Sequence, residues 1–240
     1  MTADGSRRVW RWRVEPADPP LTAAIGVGEA VRAAVMAAGN RHGLERLPDA
    51  FYDSWPEGGH YHAYWLPEDT DRDGRIDRML VFAESGIDDI MAAVLADAGG
   101  FALAGRRYDL VTANEEPLAA AGALGCAKEW EAATPFVTRL WRLTKTGKER
   151  RGFTPEAQLL REIRERRLPA PVDIAWRPAV ALGGNWLLPG DFLLERNAYR
   201  PPGDALAGFP LLAFGEPVTG PLAFGFGAHF GLGLMVPAAF

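Results

Sequence analysis

The order of strand-like and helix-like segments is the feature that most constrains the fold of this 240-residue chain. The segment VWRWRVE, residues 9–15, alternates apolar and basic side chains as a β-strand does, and apolar residues at helical spacing predict a helix over 27–38. HYHAYWL and RMLVFAES are predicted to pair as a hairpin, followed by the helix IDDIMAAVLADAGG and the strand RRYDLVTA. This β-α-β-β-α-β order is the connectivity of a ferredoxin-like unit.

The second half of the chain repeats this pattern less regularly. TPEAQLLREIRERRLP is predicted to be a helix because Thr154 can cap its start, Pro155 fits its first position and Pro169 stops it. The predicted strands of this half are TPFVTRLWRL, VDIAWRPAV, FLLERNAY, PLLAFGEPV and PLAFGFGAHFGLGLMVP. We therefore predict an α+β protein with two tandem ferredoxin-like (RRM-like) halves, each β-α-β-β-α-β, in residues 1–115 and 126–240.

Composition and charge favour a globular protein without excluding nucleic acid as its partner. Charged residues make up 24% of the chain and a single cysteine allows no internal disulfide, so we expect a cytoplasmic protein that does not contact the membrane. The net charge of −5 argues against non-specific nucleic-acid binding, yet basic residues are concentrated in the segment 139–151. The candidates for phosphate contacts in this segment are Arg139, Arg142, Lys145, Lys148, Arg150 and Arg151.

An aspartate-rich stretch imitates a calcium-binding loop. Asp69, Asp71, Asp73 and Gly74 fall on positions 1, 3, 5 and 6 of an EF-hand loop, but position 12, which should supply a bidentate carboxylate, is Leu80. The flanking segments also have strand rather than helix periodicity. We therefore predict an acidic hairpin turn without a metal, in which aspartates cap backbone amides and Gly74 is left-handed.

Two of the four histidines precede the aspartates on the same predicted strand. His60, His62 and Tyr64 would share one face, because side chains two apart on a strand point the same way. Paired imidazoles suit metal coordination or proton transfer near neutral pH, and ordinary hydrogen-bonded histidines are a third interpretation. A metal would need a third ligand, and no candidate lies at an expected local spacing.

The C-terminal run FGFGAHFGLGL alternates glycine with apolar residues. As an extended strand it would bury one apolar face and leave the other as bare backbone bearing His229 alone. Such a face suits the close approach of a polymer backbone, whereas a bulged strand or the tight packing of a neighbouring element is the alternative. The small residues of this track, beside His229, are Gly225, Gly227, Gly231 and Gly233.

Three blocks of the sequence resemble the RAMP-superfamily endoribonucleases of the Cas-six type, which process CRISPR RNA. They are GGHYHAYWLPEDTDRDGRID, the ATPFV segment with RRGFTPEAQLLREI and RRLPAP, and GPLAFGFGAHFGLGLMVP, from about residue 58 to the C-terminus. The resemblance is strongest to the Cas-six-like half of the Cas-five/Cas-six fusion of type I-G (formerly I-U) systems. The Cas-five-like half of that fusion has no counterpart in this sequence.

This resemblance implies two ferredoxin-like folds, a glycine-rich loop near the C-terminus and metal-independent cleavage of repeat RNA without a cofactor. The products would carry a 2′,3′-cyclic phosphate and a 5′-hydroxyl. The protein would then retain the 3′ hairpin of the CRISPR RNA as a subunit of a Cascade effector complex, beside Cas-five-like and Cas-seven-like proteins.

Under this interpretation we expect His62 first, His60 second and His229 third to carry the proton transfers, with Tyr64 in support. The basic segment 139–151 and the glycine track would contact the RNA. Further contacts to a hairpin stem could come from the helix-borne Arg161, Arg164, Arg166 and Arg167, although the interleaved Glu162 and Glu165 fit an ordinary solvated helix equally well. A non-catalytic RNA-binding subunit, and a metal-dependent hydrolase built on His60 and His62, are the alternative functions.

Overall fold

Two large antiparallel β-sheets, a small two-stranded sheet and three α-helices form the chain in the computed structural model, which describes residues 7–51, 62–114, 122–194 and 199–238. The first half contains, in chain order, β1 (Arg7–Glu15), α1 (Ala24–Arg41), β2 (Tyr64–Glu68), β3 (Arg78–Ile87), α2 (Asp89–Ala96), β4 (Gly100–Leu103) and β5 (Arg106–Thr112). The second half contains β6 (Cys126–Ala132), β7 (Phe136–Val137), α3 (Pro155–Glu165), β8 (Pro171–Arg177), β9 (Val180–Leu182), β10 (Asn185–Leu187), β11 (Ala207–Thr219), β12 (Leu222–Ala223) and β13 (Leu234–Pro237). The predicted α+β class is confirmed.

The first sheet has the strand order β2-β3-β1-β5-β4, and each neighbouring pair is antiparallel. The hairpin of β2 and β3 is present as predicted, with Tyr64 opposite Phe82. Trp12 of β1 is fully buried in the same apolar cluster as Val31 of α1, so the alternation of β1 does select a core face. Strand β4 is not among the predicted strands, because it has only four residues and begins at Gly100, within the segment predicted as the end of the second helix.

Local capping signals fix where α2 and α3 begin. The carboxylate of Asp88 accepts the backbone N–H of Met91 at 2.7 Å and caps α2. The hydroxyl of Thr154 accepts the N–H of Ala157 at 3.2 Å, so α3 begins where the sequence predicts. Helix α1 extends three residues beyond the predicted 27–38 at each end.

Helix α1 is the core helix of the first half. The segment Leu21–Arg41, which includes the turn before it, is long and apolar enough to cross a membrane by length and composition alone. In the fold, however, Ile25, Val27 and Val35 are fully buried against the protein itself. The apolar character of this segment is therefore explained by its place in the core.

The second sheet has the order β12-β13-β6-β11-β7, and β8 also pairs with β11. The strands β8, β11, β6 and β13 therefore stand in the same relative order as β2, β3, β1 and β5 of the first sheet. Between β12 and β13, where the first half has α2, the second half has a glycine-rich loop, residues 224–233, that contains a single 3₁₀ turn. The predicted second helix of this half, and the extended strand predicted over FGFGAHFGLGL, are both wrong.

Two further strand predictions in the second half are also wrong. Of TPFVTRLWRL only Phe136–Val137 is a strand, and the first long strand of this half is β6, whose charged residues obscure its alternation. Residues 192–194 of the predicted strand FLLERNAY are not in a strand, and residues 195–198 lie outside the described part of the chain.

The aspartate-rich turn between β2 and β3 joins the two halves. Arg72 in this turn pairs with Glu131 of β6 at 2.5 Å, and its carbonyl accepts the N–H of Gly183 at 2.9 Å. Glu131 is 7% exposed and also pairs with Arg177 of β8 at 2.9 Å, so its buried charge is compensated from both sides. The two sheets extend over residues 7–112 and 126–237, whereas the domain boundaries at 115 and 126 stay a prediction.

Candidate active site

A column of aromatic and imidazole rings forms where the glycine-rich loop meets β2. Tyr64 is the first residue of β2, His62 lies in the bend just before it, and His229 lies in the 3₁₀ turn Ala228–Phe230. The His229 ring stacks on the Tyr64 ring with centroids 4.2 Å apart, and the His62 ring meets His229 edge-on at 5.7 Å. Three of the four predicted catalytic side chains are thus brought together, one pair from the first half and one residue from the second.

The fourth predicted catalytic residue, His60, lies outside the described residues. Strand β2 begins at Tyr64, so the predicted strand HYHAYWL starts later than expected and His62 is held by the chain just before it. The N–H of Ala63 donates to the carbonyl of Ala50 at 2.6 Å, which connects this bend to the 3₁₀ turn Asp49–Phe51.

The glycines of the C-terminal track position His229 because the loop packs tightly against the protein. Gly227 and Gly231 flank the 3₁₀ turn with φ of 72° and 92°, a region that L-residues rarely adopt. A Cβ on Gly231 would collide with the ring of Pro67 in β2, and one on Gly233 would collide with the carbonyl of Phe224. The prediction that these glycines form an open, bare backbone face is therefore wrong. An added Cβ would lie too close to other protein atoms at each of the four glycines, Gly225, Gly227, Gly231 and Gly233.

Two side chains outside the predicted site residues, Thr134 and Glu162, hold the loop in place. The hydroxyl of the fully buried Thr134 donates to the carbonyl of Gly231 at 2.6 Å and accepts the N–H of Leu234 at 2.9 Å. At the other end of the loop, Glu162 of α3 accepts the N–H of Gly225 at 2.9 Å. The loop is thus fixed at both ends, and His229 lies between these fixed points.

Burial and nearby charged residues together act on the phenol of the ring column. Burial raises the pKa of the Tyr64 phenol, and the nearby positive charge of Arg166 opposes that rise. Tyr64 therefore keeps its proton at neutral pH and can donate a hydrogen bond, which fits the supporting role predicted for it. The guanidinium carbon of Arg166, the residue that follows α3, lies 5.3 Å from the centre of the Tyr64 ring.

A groove of about 910 Å³ opens beside the column. Tyr64 and Phe82 of the first sheet line one part of it, while Arg166 and Arg167 of the α3 end line another. Arginine guanidinium groups present donors in a geometry that matches phosphate oxygens, so a groove lined in this way suits a polyanion. Its full lining is Arg8, Tyr64, Phe82, Glu84, Arg139, Glu165, Arg166, Arg167, Leu168, Thr219, Gly220, Pro221 and Leu222.

Among the six predicted phosphate contacts of the segment 139–151, Arg139 lines this groove. Arg139 also pairs with Glu162 at 3.1 Å, so part of its charge is neutralised within the protein. The other five lie on or beside a turn closed by the bridge between Leu143 and Glu149. Within this group Arg142 pairs with Glu149, and Arg150 lies over the Phe153 ring at 3.9 Å. The exposed members are Lys145, Lys148, Arg150 and Arg151.

The aspartates form a hairpin turn with the backbone contacts expected for one. Asp69 accepts the N–H of Gly74 at 2.8 Å and Asp73 accepts that of Arg75 at 2.8 Å, while Gly74 has a φ of 87°. Burial raises the pKa of Asp69 from 3.8 to about 6, because the charged carboxylate is poorly solvated there. Carboxylate oxygens of Asp69, Asp71 and Asp73 do lie within 4.8 Å of one another, but the backbone amides already use them.

Comparison with known proteins adds a likeness of overall fold. No protein-family model matches the sequence, and no curated protein matches it. A solved structure of a Cas6 product complex is similar with a TM-score of 0.41 and 14% sequence identity, covering 97% of this chain and 99% of that chain. A RAMP protein described as binding different RNA substrates is similar with a TM-score of 0.41 and 12% identity, covering 97% and 100%. Likenesses at this level assign neither a family nor an activity, so the function has to be argued from the chain's own residues.

Proposed function

We propose that the protein is a CRISPR RNA-processing endoribonuclease of the RAMP type, with two tandem ferredoxin-like halves and its active site at the ring column. The observation that carries the proposal is the meeting of His62 and His229, from opposite halves of the chain, with ring centres 5.7 Å apart beside an arginine-lined groove. Two imidazoles at this separation can act on two atoms of one phosphodiester.

The reaction follows from what two imidazoles can do without a metal. One takes the proton of an RNA 2′-hydroxyl as the 2′-oxygen attacks the adjacent phosphorus, and the P–O5′ bond breaks. The other gives a proton to the departing 5′-oxygen, so the products are a 2′,3′-cyclic phosphate and a 5′-hydroxyl. Each proton taken up is matched by one released, and no water is consumed. Imidazole suits both steps because its unperturbed pKa lies near neutrality.

Tyr64 and the groove have supporting parts in this proposal. The protonated phenol can donate a hydrogen bond to a phosphate oxygen, since burial keeps it neutral. The groove, with Arg139 and Arg167 in its lining, would carry the RNA strand on either side of the cut. The retained product would keep its 3′ hairpin on the same surface, as a subunit of a Cascade complex with Cas-five-like and Cas-seven-like partners.

The test uses RNA that carries one CRISPR repeat from the organism that encodes the chain, labelled at its 5′ end. We expect cleavage in the presence of EDTA, at one position, with cyclic-phosphate and 5′-hydroxyl ends. His62→Ala and His229→Ala should each lower the single-turnover rate by about 10²–10⁴-fold while leaving binding in a gel-shift titration largely intact. RNA with a 2′-deoxy sugar at the cut should bind and stay whole.

Three outcomes separate the proposal from its alternatives. Binding without cleavage would favour a non-catalytic RNA-binding subunit. Cleavage that stops in EDTA and returns with a divalent metal would favour a hydrolase that uses His60 and His62 as ligands. Cleavage that survives both histidine substitutions would overturn the assignment of the active site.

A further inference from the structure

Arg166 carries its positive charge into the ring column from the end of α3. Its guanidinium carbon lies 5.3 Å from the centre of the Tyr64 ring and 4.8 Å from that of Phe224. Tyr64 in turn stacks on His229, so the guanidinium and the imidazole both contact the same phenol ring. The Arg166 side chain is 13% exposed, and it nevertheless lines the groove.

The donors of this guanidinium are poorly used within the protein. Its terminal nitrogen is 3.7 Å from Glu162, which is an ion pair but too long for a hydrogen bond. Its Nε atom is buried and has no hydrogen-bond partner among the described residues. Buried polar groups are normally satisfied, and an arginine that lines an open groove with little of its donor capacity used fits a phosphate that supplies the missing acceptors.

Glu162 holds both Arg166 and the glycine-rich loop. The carboxylate is 2% exposed, lies one helical turn before Arg166 and accepts the N–H of Gly225 at 2.9 Å. It also pairs with Arg139 at 3.1 Å. One buried carboxylate therefore fixes the guanidinium and the start of the loop that carries His229.

We propose that Arg166 is a further catalytic residue, which contacts the reacting phosphate, and that Glu162 is a positioning residue for it. This inference rests on the proposed function, because it concerns the same site. As the 2′-oxygen attacks, negative charge grows on the non-bridging phosphate oxygens, and a fixed cation that meets this charge stabilises the transition state. Arg166 thus supplies at the column the positive charge that the sequence pattern assigned to the segment 139–151.

The first experiment compares Arg166→Ala with Arg166→Lys on the labelled repeat RNA. Loss of one preorganised donor typically lowers the rate by about 10²–10³-fold, so we expect that loss in single-turnover cleavage at saturating RNA for the alanine variant. Lysine should restore part of the rate, and added guanidinium ion should rescue the alanine variant but not the wild-type protein. Arg107→Ala removes an exposed arginine of β5 and controls for net charge. Wild-type cleavage by Arg166→Ala would overturn the inference and leave the proposed function standing.

The second experiment tests the positioning role of Glu162. In Glu162→Gln the amide oxygen can still accept the N–H of Gly225, but the negative charge beside Arg166 is gone. The charged groups near Tyr64 are Arg139, Arg166, Glu84 and Glu162, so this change leaves the site more positive and should move the pH–rate profile to lower pH. Glu156→Gln, an exposed site on the same helix, is the matched control. A lowered rate with an unmoved profile in Glu162→Gln would show a purely structural role and overturn this part.

A readout that does not need cleavage separates this inference from the proposed function. In ¹H–¹⁵N spectra, the Nε–H signal of Arg166 should shift strongly when repeat RNA with a 2′-deoxy sugar at the cut is added. The shift in a protein that cleaves no RNA would contradict the endoribonuclease proposal and support the phosphate contact. An unmoved signal on saturating RNA would overturn the phosphate contact, whether or not the protein cleaves.

Discussion

Replacing Gly231 with alanine tests whether the glycines of the loop serve packing. The residue has a φ of 92°, and a Cβ there would collide with the ring of Pro67. Left-handed backbone costs an L-residue about 1–2 kcal/mol, and overpacking a tight site costs about 1–3 kcal/mol. The two terms together give a loss of about 2–5 kcal/mol, which is a large part of the roughly 5–15 kcal/mol that holds a domain folded.

Gly147 provides the matched control, because it separates the two terms. Its φ is 79°, yet a Cβ there would meet no atom within 4 Å. Gly147→Ala should therefore show only the backbone cost of about 1–2 kcal/mol. Urea denaturation followed by circular dichroism measures the free energy of unfolding of both variants and the wild-type protein. Equal destabilisation by the two substitutions would refute the packing argument, and a stable Gly231→Ala that binds RNA poorly would restore the bare-backbone interpretation of the track.

Three further predictions concern other parts of the fold. The pKa of Asp69 is raised from 3.8 to about 6, so its contribution to the free energy of unfolding is present below about pH 4 and is lost as the pH rises through 6. A titration of the Asp69 carboxyl carbon by NMR should give a midpoint near 6. A midpoint near 4 would contradict the buried environment. EDTA should leave the melting temperature unchanged, since backbone amides use the aspartate oxygens of the turn, whereas a fall of many degrees would indicate a structural metal. Thr134→Val removes two buried hydrogen bonds at nearly constant shape, so it should lower the free energy of unfolding in urea by about 1–3 kcal/mol. The exposed control Thr112→Val should change that free energy little, and equal effects of the two substitutions would contradict the anchoring role of Thr134.

The sequence predicts best where a local signal decides the structure. The Thr154 cap and the proline after it mark the start of α3, and alternation on both sides of the aspartates gives the β2–β3 hairpin. Both depend on contacts between residues that are close along the chain, since even the outermost hairpin pair, Tyr64 and Phe82, spans a single turn. That His62 and Tyr64 both reach the His229 ring is consistent with their spacing of two residues at the start of one strand.

The glycine-rich loop could not be predicted in the same way. Its alternation of glycine and apolar residues has the period of a strand, but the left-handed φ values of Gly227 and Gly231 turn the chain instead. The packing around these glycines is long-range, because a Cβ on Gly231 would meet Pro67, more than 150 positions away in the sequence, and a Cβ on Gly227 would meet Ile25. The pairing of His229 with His62 follows from this packing and leaves no local pattern.

Glu162 and Arg166 carried a signal that helical spacing could have revealed. They lie at i and i+4 on the face that also carries Leu159, which is fully buried, so both charges project toward the core side of α3. The charge pattern of the helix alone fits a solvated surface, and that interpretation is wrong for these two residues. A charged pair on an apolar helical face is the stronger indication of a site.

The most direct test of the account is cleavage of repeat RNA in which sulfur replaces the 5′-bridging oxygen at the cut. A thiolate leaves without protonation, so this substrate restores a variant that lacks the general acid but not one that lacks the general base. If His62 and His229 divide the two proton transfers, one of the variants His62→Ala and His229→Ala should regain most of its rate on the sulfur substrate, and the other should not. The same response from both variants would contradict the division of roles at the centre of this mechanism.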